Sequence, residues 1–256
     1  MAATPAWPPA SLPRLFVDAP LHVGETRALD AAGSNYLANV LRLGIGAEVG
    51  LFDDRGGDFV GRIEGVAKRA VTVAITANPR PREAVPDLQL LVAPVKRGRI
   101  DLVIEKACEL GVDRIVPVTT RRTVVDRLNL DRLRAHLVEA AEQCGRNALP
   151  ALHEPAKLPA VLAALDTGRT LFFADETGGE PAAAAMVARP GPAAILIGPE
   201  GGFDPTEREA IRAHPQAVGI SLGPRILRAE TAAIAAVTLW MAAAGDWAQK
   251  PAGAGA

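Results

Sequence analysis

Residues Ile195 to Glu209 read ILIGPEGGFDPTERE: an apolar run breaks into a turn holding three glycines, one proline and one glutamate, and a helix begins. Such a turn is either a tight strand-to-helix connection or a ligand cradle. Glycine lets a backbone approach a ligand closely, and a helix N-terminus presents unpaired N–H groups. The helix start is well specified, with Asp204 at the N-cap, Pro205 at the first helical position and Glu207 at the third. No Gly-Lys-Ser/Thr follows, and the glycines lack the Gly-x-Gly-x-x-Gly spacing, so neither the phosphate loop nor the dinucleotide fingerprint is present. Glu200 inside the turn would repel phosphates, which favours a neutral or partly cationic ligand.

A second turn repeats the punctuation. Gly223-Pro224 breaks the apolar run Val218 to Leu222 just as Gly198-Pro199 breaks Ile195 to Ile197. With a helix over Pro205 to Ala213 between them, the two form a βαβ unit whose turns emerge at one C-terminal sheet edge, where α/β proteins bind ligands. Side by side, the turns make a backbone-lined cleft able to hold an adenine, with apolar contacts from Leu222, Ile226 and Leu227. The stretch PRILRAET then sets Arg225, Arg228, Glu230 and Thr231 beside that cleft. Charges at a turn are commonly solvated surface. The functional alternative is a substrate site in which an arginine fork, oriented by Glu230, meets a phosphate or a carbonyl oxygen gaining negative charge.

Those turns need a sheet behind them. Apolar runs at Leu88 to Ala93, Arg114 to Val118, Thr170 to Ala174, Ala193 to Ile197 and Ala217 to Leu222 are the strand candidates. They alternate with amphipathic helices at Ile100 to Leu110 and Leu130 to Cys144, which predicts a mostly parallel α/β sheet over residues 88–247. Residues 14–77 instead carry β signals: LFVDAPL, AEVGLFD and VTVAITA, with turn chemistry at Asp53 to Phe59. Only Ser34 to Leu43 looks helical there, with Tyr36, Leu37, Val40 and Leu41 apolar. The chain therefore divides into a small β-barrel-like domain over 1–78, a proline-rich linker over 79–87, the α/β domain, and a tail over 248–256 expected to be flexible. The N-terminal MAATPAWPPASLPRLF reads as a loose arm and lacks the pattern of a signal peptide.

Composition narrows the partners. Lys and Arg number 28 against 29 acidic residues, so no global basic field draws in nucleic acid or an anionic membrane, and RNA binding must come from a local patch. Lys96-Arg97-Gly98-Arg99 is the densest basic cluster. Cys108 and Cys144 lie far apart in helix-like patterns and read as reduced core thiols, pointing to the cytosol and away from disulfides or a metal site. Each histidine occurs singly and reads as surface or structural. Thr231 to Gly245, the longest uncharged run, is shorter than the roughly 20 residues of a membrane span and reads as a buried helix.

LIGPEGG (Leu196 to Gly202) followed by LGPRILRAETA (Leu222 to Ala232) resembles the SPOUT-class methyltransferases of the RsmE type, which methylate N3 of a uridine in small-subunit (16S) ribosomal RNA. The likeness extends through KRGRIDLVIEKACELGV (Lys96 to Val112), TTRRTV (Thr119 to Val124) and EAAEQCGR (Glu139 to Arg146). Arg14-Leu15-Phe16 and NVLRL (Asn39 to Leu43) resemble that family's PUA-like RNA-binding domain. The resemblance implies S-adenosylmethionine as methyl donor, a C-terminal trefoil knot, a homodimer whose interface helps form the active site, and the assembled small subunit as substrate. With the cysteine and hydropathy readings above, neither a metal nor a membrane is expected.

Carried over residue by residue, Leu196, Gly198, Glu200, Gly201 and Gly202 match the first cofactor loop, and Leu222, Gly223, Ile226 and Leu227 the second. Arg225, Arg228, Glu230 and Thr231 match the segment beside it, while Arg121, Arg122, Gln143 and Arg146 match other family motifs; Cys144 stands where serine or a similar small residue is expected. The cofactor agrees with the charge reading of the turn, since its sulfonium is cationic and its adenosine carries no phosphate. For transfer to N3, the imide proton must leave and charge spreads onto O2 and O4. Arg228, with Arg225 and with Glu230 beside them, is expected to meet that charge. RNA contacts are expected at Arg14, Arg42, Lys96, Arg97, Arg99, Arg121, Arg122 and Arg146. A ribose 2'-O-methyltransferase of the same class, a non-catalytic RNA-binding protein and a small-molecule transferase stay open on the sequence.

Overall fold

Val71, Val73 and Ile75 are buried while Thr72, Ala74 and Thr76 are not, the period-two signature of a strand with one face on a core. Such strands build the first of two units in a computed structural model that describes residues 12–67, 70–125 and 127–247. The N-terminal arm over residues 1–11 and the tail over 248–256 lie outside the described residues.

Unit 1 takes in described residues up to Ala84 together with Ala141–Leu149. It comprises β1 (Arg14–Phe16), β2 (Thr26–Ala28), α1 (Ala31–Asn35), β3 (Glu48–Phe52), β4 (Asp58–Ala67) and β5 (Ala70–Arg80), in the sheet order β1-β3-β4-β5-β2. Only the β1–β3 pairing is parallel. The helix expected over Ser34 to Leu43 divides: α1, capped by Asp30 through Gly33 N–H at 2.7 Å, passes into a π-helical turn at Tyr36–Val40. There Leu41 N–H reaches the Tyr36 carbonyl at 2.9 Å. This wider winding changes the number of residues per turn, so Leu37 alone is fully buried while Val40 is 60% exposed. After β5 ends at Arg80, residues 81–87 form no helix or strand.

The core of unit 1 holds an ionic cluster. Asp58 is fully buried and accepts from Arg14 Nε at 3.0 Å, Arg80 Nε at 2.6 Å and Asn147 Nδ2 at 2.8 Å. Arg14 also stacks 3.8 Å from the Phe52 ring centroid and donates to the carbonyls of Ala141 and Arg146. A buried charge is tolerated only when paired and hydrogen-bonded, and this cluster meets both conditions.

Unit 2 contains β6 (Leu88–Val92), α2 (Arg99–Glu109), β7 (Arg114–Thr119), most of α3 (Leu130–Cys144), β8 (Ala151–Leu152), β9 (Ala156–Lys157), α4 (Leu158–Ala163) and β10 (Thr170–Ala174). It continues with β11 (Glu180–Pro181), α5 (Ala182–Ala188), β12 (Ala193–Ile197), α6 (Pro205–Arg212), β13 (Ala217–Ser221) and α7 (Ala229–Ala243). The sheet order is β11-β13-β10-β12-β6-β7-β8, with β9 also pairing β7, and every pairing is parallel. All five residues of β12 are buried, as a central strand covered on both faces requires. On one face α7 crosses β6 and β12 between α2 and α5. Opposite it, Leu158, Val161 and Ile211 of α4 and α6 pack with Leu91, Phe173 and Leu196. Among the described residues no helix is long and apolar enough to cross a membrane.

Candidate active site

Parallel pairing sends β12, β10 and β13 out at one edge, and the turns after all three line a cleft of about 340 Å³. The two Gly-Pro turns are not immediate neighbours: β10 lies between β12 and β13, because the crossover through α6 passes over it. Two strand spacings set the turns about 10 Å apart. The gap is floored by Ala174, Asp175, Glu176 and Gly178. Those residues were missed in the sequence, although Gly178-Gly179 after the apolar run ending at Ala174 carried a turn signal.

The first turn is held in shape by local bonds. Gly202 N–H donates to the Pro199 carbonyl at 2.9 Å, and Arg122 Nη1 donates to the Gly201 carbonyl at 2.8 Å. Gly202 has φ +66°, and a Cβ there would lie 2.6 Å from Glu176 Oε1, so a side chain at this position must displace the Glu176 carboxylate as well as bear the left-handed backbone. The α6 start follows its sequence: Asp204 accepts from Thr206 N–H at 3.0 Å, and Glu207 caps back to Asp204 N–H at 3.2 Å. Arg121 donates from its side chain to Asp204 at 3.1 Å and from its backbone to Glu207 at 2.8 Å.

Charge in the cleft is mainly acidic, with Asp175, Glu176 and Glu200 facing Arg225 alone among the lining side chains. Burial pushes the Asp175 carboxyl up, but hydrogen bonds from Thr177 N–H and hydroxyl and from Arg212 outweigh it and hold the group below the usual carboxylate range. Glu176 pairs with Arg208. Arg99, the first residue of α2, bridges Glu200 at 3.4 Å and Glu230 at 3.7 Å. Glu230 is 8% exposed, and its Oε2 is buried without a hydrogen-bond partner among the described residues. The guanidinium that Glu230 meets is thus Arg99's, across from α7, and not that of Arg225 or Arg228.

Of the residues expected at the cofactor, Gly198, Glu200, Gly201, Gly202, Leu222, Gly223, Ile226 and Leu227 line the cleft. Leu196 does not: strand alternation turns it into the core beside Phe203, and Ile197 takes the lining position. Arg225 lines the cleft, and Arg228 is exposed as the N-cap of α7. Lys96, Arg97, Arg42, Arg121 and Arg122 are exposed, as RNA contact requires, although Arg121 is paired at the start of α6 and Arg122 holds the first turn. Arg14 and Arg146, expected on RNA, are each 6% exposed and sit inside unit 1, Arg14 on Asp58 and Arg146 near Glu83 at 3.8 Å. Arg99 is turned to two carboxylates. Cys108 is a core thiol as expected, but Cys144 is exposed, since its position near the end of α3 lies off the buried face.

Comparison with known proteins gives this arrangement a context. A family described as "RNA methyltransferase domain" matches residues 81–241, and one described as "RNA methyltransferase PUA domain" matches residues 29–76. The ribosomal RNA small subunit methyltransferase E of Rickettsia conorii is 30% identical over 206 residues, covering 79% of this chain and 84% of that one. A putative methyltransferase from Legionella pneumophila, solved with bound SAM, matches at 30% identity and TM-score 0.82, covering 91% and 98% of the two chains. The ribosomal RNA small subunit methyltransferase E of Neisseria gonorrhoeae, solved bound to S-adenosyl methionine, matches at 26% identity and TM-score 0.83 over 92% and 99%.

Proposed function

The chain belongs to the RNA methyltransferase family, and on that premise we propose that it transfers a methyl group from S-adenosylmethionine to N3 of a uridine in small-subunit ribosomal RNA. The observation that carries the cofactor is the cleft itself. It is built from three turns, and its walls are backbone and apolar side chains with Arg225 and three arginine-paired carboxylates, one of which a Cβ at Gly202 would displace. Such walls suit an uncharged adenosine, with carboxylates near enough to face a cationic sulfonium. When bound, the cofactor supplies an electrophilic methyl group.

The residues assigned to this site divide the work. Gly198, Gly201, Gly202 and Gly223 give backbone approach, while Leu222, Ile226 and Leu227 cover the apolar part. Arg228 and Arg225 donate to the uridine oxygens as N3 gives its proton to solvent and takes the methyl group, S-adenosylhomocysteine leaving, which lowers the cost of the developing charge. Glu230, paired with Arg99, fixes the start of α7 beside them. Positioning is the other large contribution, since a displacement at a methyl carbon needs its partners aligned.

The N3 position, the assembled subunit as substrate, a homodimer and a knotted C-terminal domain belong to the same reading and rest on the family resemblance, and a cytoplasmic location rests on the cysteine reading. A half-covered stripe on α7, including Ile234, Ala235 and Leu239, supports a second copy as neighbour. The test compares ribosomal RNA from cells with and without the gene by nucleoside mass spectrometry. Loss of one 3-methyluridine is expected, and loss of a 2'-O-methylated nucleoside instead would transfer the protein to the ribose-methylating branch.

A further inference from the structure

Away from the cofactor cleft, unit 2 has a second cavity of about 310 Å³ that shares none of the cleft's lining residues. Its floor is apolar, made by Val95 and Ile100, both buried, with Val125 and Leu128 half-covered beside them. Arginines form its rim. Arg132 is neutralised by Asp101, whereas Arg97 and Arg127 are exposed and have no hydrogen bond or ion pair among the described residues. Two helix starts also converge here: Ile100 lies in the first turn of α2, and Asn129 caps α3 by accepting from Arg132 N–H at 2.9 Å. Their positive ends add to the Arg97 and Arg127 guanidinium groups.

An apolar floor under a cationic rim fits one nucleotide of a single strand. We propose that this cavity is a nucleotide subsite for the RNA substrate, with Arg97 and Arg127 on a backbone phosphate and the floor covering the adjoining ribose or unstacked base. It rests on the reading of the chain as an RNA methyltransferase and adds where the strand is held outside the reacting centre. The chain's net charge of -1 makes such local sites the means of holding RNA. The basic cluster at Lys96–Arg99 is accordingly split in function, Arg97 serving this cavity and Arg99 the two carboxylates.

Fluorescence anisotropy of a labelled single-stranded oligouridylate tests it with the full chain. Arg97→Ala and Arg127→Ala should each weaken binding about tenfold, and each should lower the salt slope by about one. Leu128→Trp fills the floor without altering charge and should weaken binding as well, which a diffuse basic surface would not predict. S-adenosylmethionine affinity and thermal midpoint, unchanged in all three, certify the fold. Oligouridylate affinity within twofold of wild type in the two arginine variants overturns the subsite. RNA binding that responds to these changes in a protein unable to transfer methyl would sink the enzyme reading and leave the subsite standing.

Discussion

Alanine at Gly202 tests whether the turn after β12 is shaped for a ligand. At φ +66° an L-residue costs about 1 kcal/mol or slightly more, and the new Cβ would lie 2.6 Å from Glu176 Oε1. Glu176 can swing away only by leaving Arg208, a partly exposed pair worth at most about 1 kcal/mol. Alanine lets the free turn relax out of this shape by up to about 2 kcal/mol, which cofactor binding must restore, so Kd for S-adenosylmethionine should rise by up to roughly 30-fold. Two neighbours serve as internal controls. At Gly201 the added Cβ meets only Arg122 carbons at 3.6 Å, an ordinary contact, and Gly201→Ala should bind within about twofold of wild type. At Gly198 it meets the Phe203 ring at 3.1 Å, and because that ring is 1% exposed the loss should fall between the other two. Isothermal titration gives the order directly. Equal losses at Gly201 and Gly202, or none at Gly202, would refute the geometry of the turn.

Three further outcomes follow from named contacts. Asp58→Ala leaves Arg14 buried without its counter-ion and should cost about 3–5 kcal/mol in urea unfolding, while a loss below about 1 kcal/mol would contradict the buried pair. Burial raises the Asp54 carboxyl, against hydrogen bonds from Leu149 N–H and Arg82, so its ionised form is disfavoured in the fold. Asp54→Asn, at a φ of +60° that asparagine tolerates, should be at least as stable as wild type at pH 7, with the advantage shrinking as pH falls toward about 4, where the unfolded group also takes up its proton; an advantage that grows toward acid would reverse the sign. Arg228→Ala should cut turnover roughly 100-fold or more with little change in cofactor affinity, and equal losses in both would remove Arg228 from the reacting centre.

Where the sequence was legible, local rules decided the outcome. Thr170–Ala174 and Ala193–Ile197 are continuous apolar runs ended by turn residues, and α2 buries Ile100, Val103, Ile104, Ala107 and Cys108 at helical spacing. The capping box at Asp204 and Glu207 likewise depends only on residues three apart. What escaped was long-range. That β10 separates β12 from β13 is a matter of strand order, and with it went Asp175 and Glu176 on the cleft floor. An arginine in a sequence carries no mark of burial, so Arg14 and Arg146 looked like RNA contacts until Asp58 and Glu83 were placed beside them. Leu196 shared a motif with the glycines, but a one-residue step along a strand reverses the face.

Methyl transfer to a uridine base can be reconstituted from purified components. The protein is incubated with S-adenosylmethionine carrying a labelled methyl group and small ribosomal subunits lacking the modification, and the labelled nucleoside is isolated and mapped. Label is expected in 3-methyluridine at a single position of the small-subunit RNA, and none with Arg228→Ala. Label in a ribose 2'-hydroxyl, or RNA left unlabelled by a protein that binds both cofactor and subunit, would contradict methyl transfer to the base.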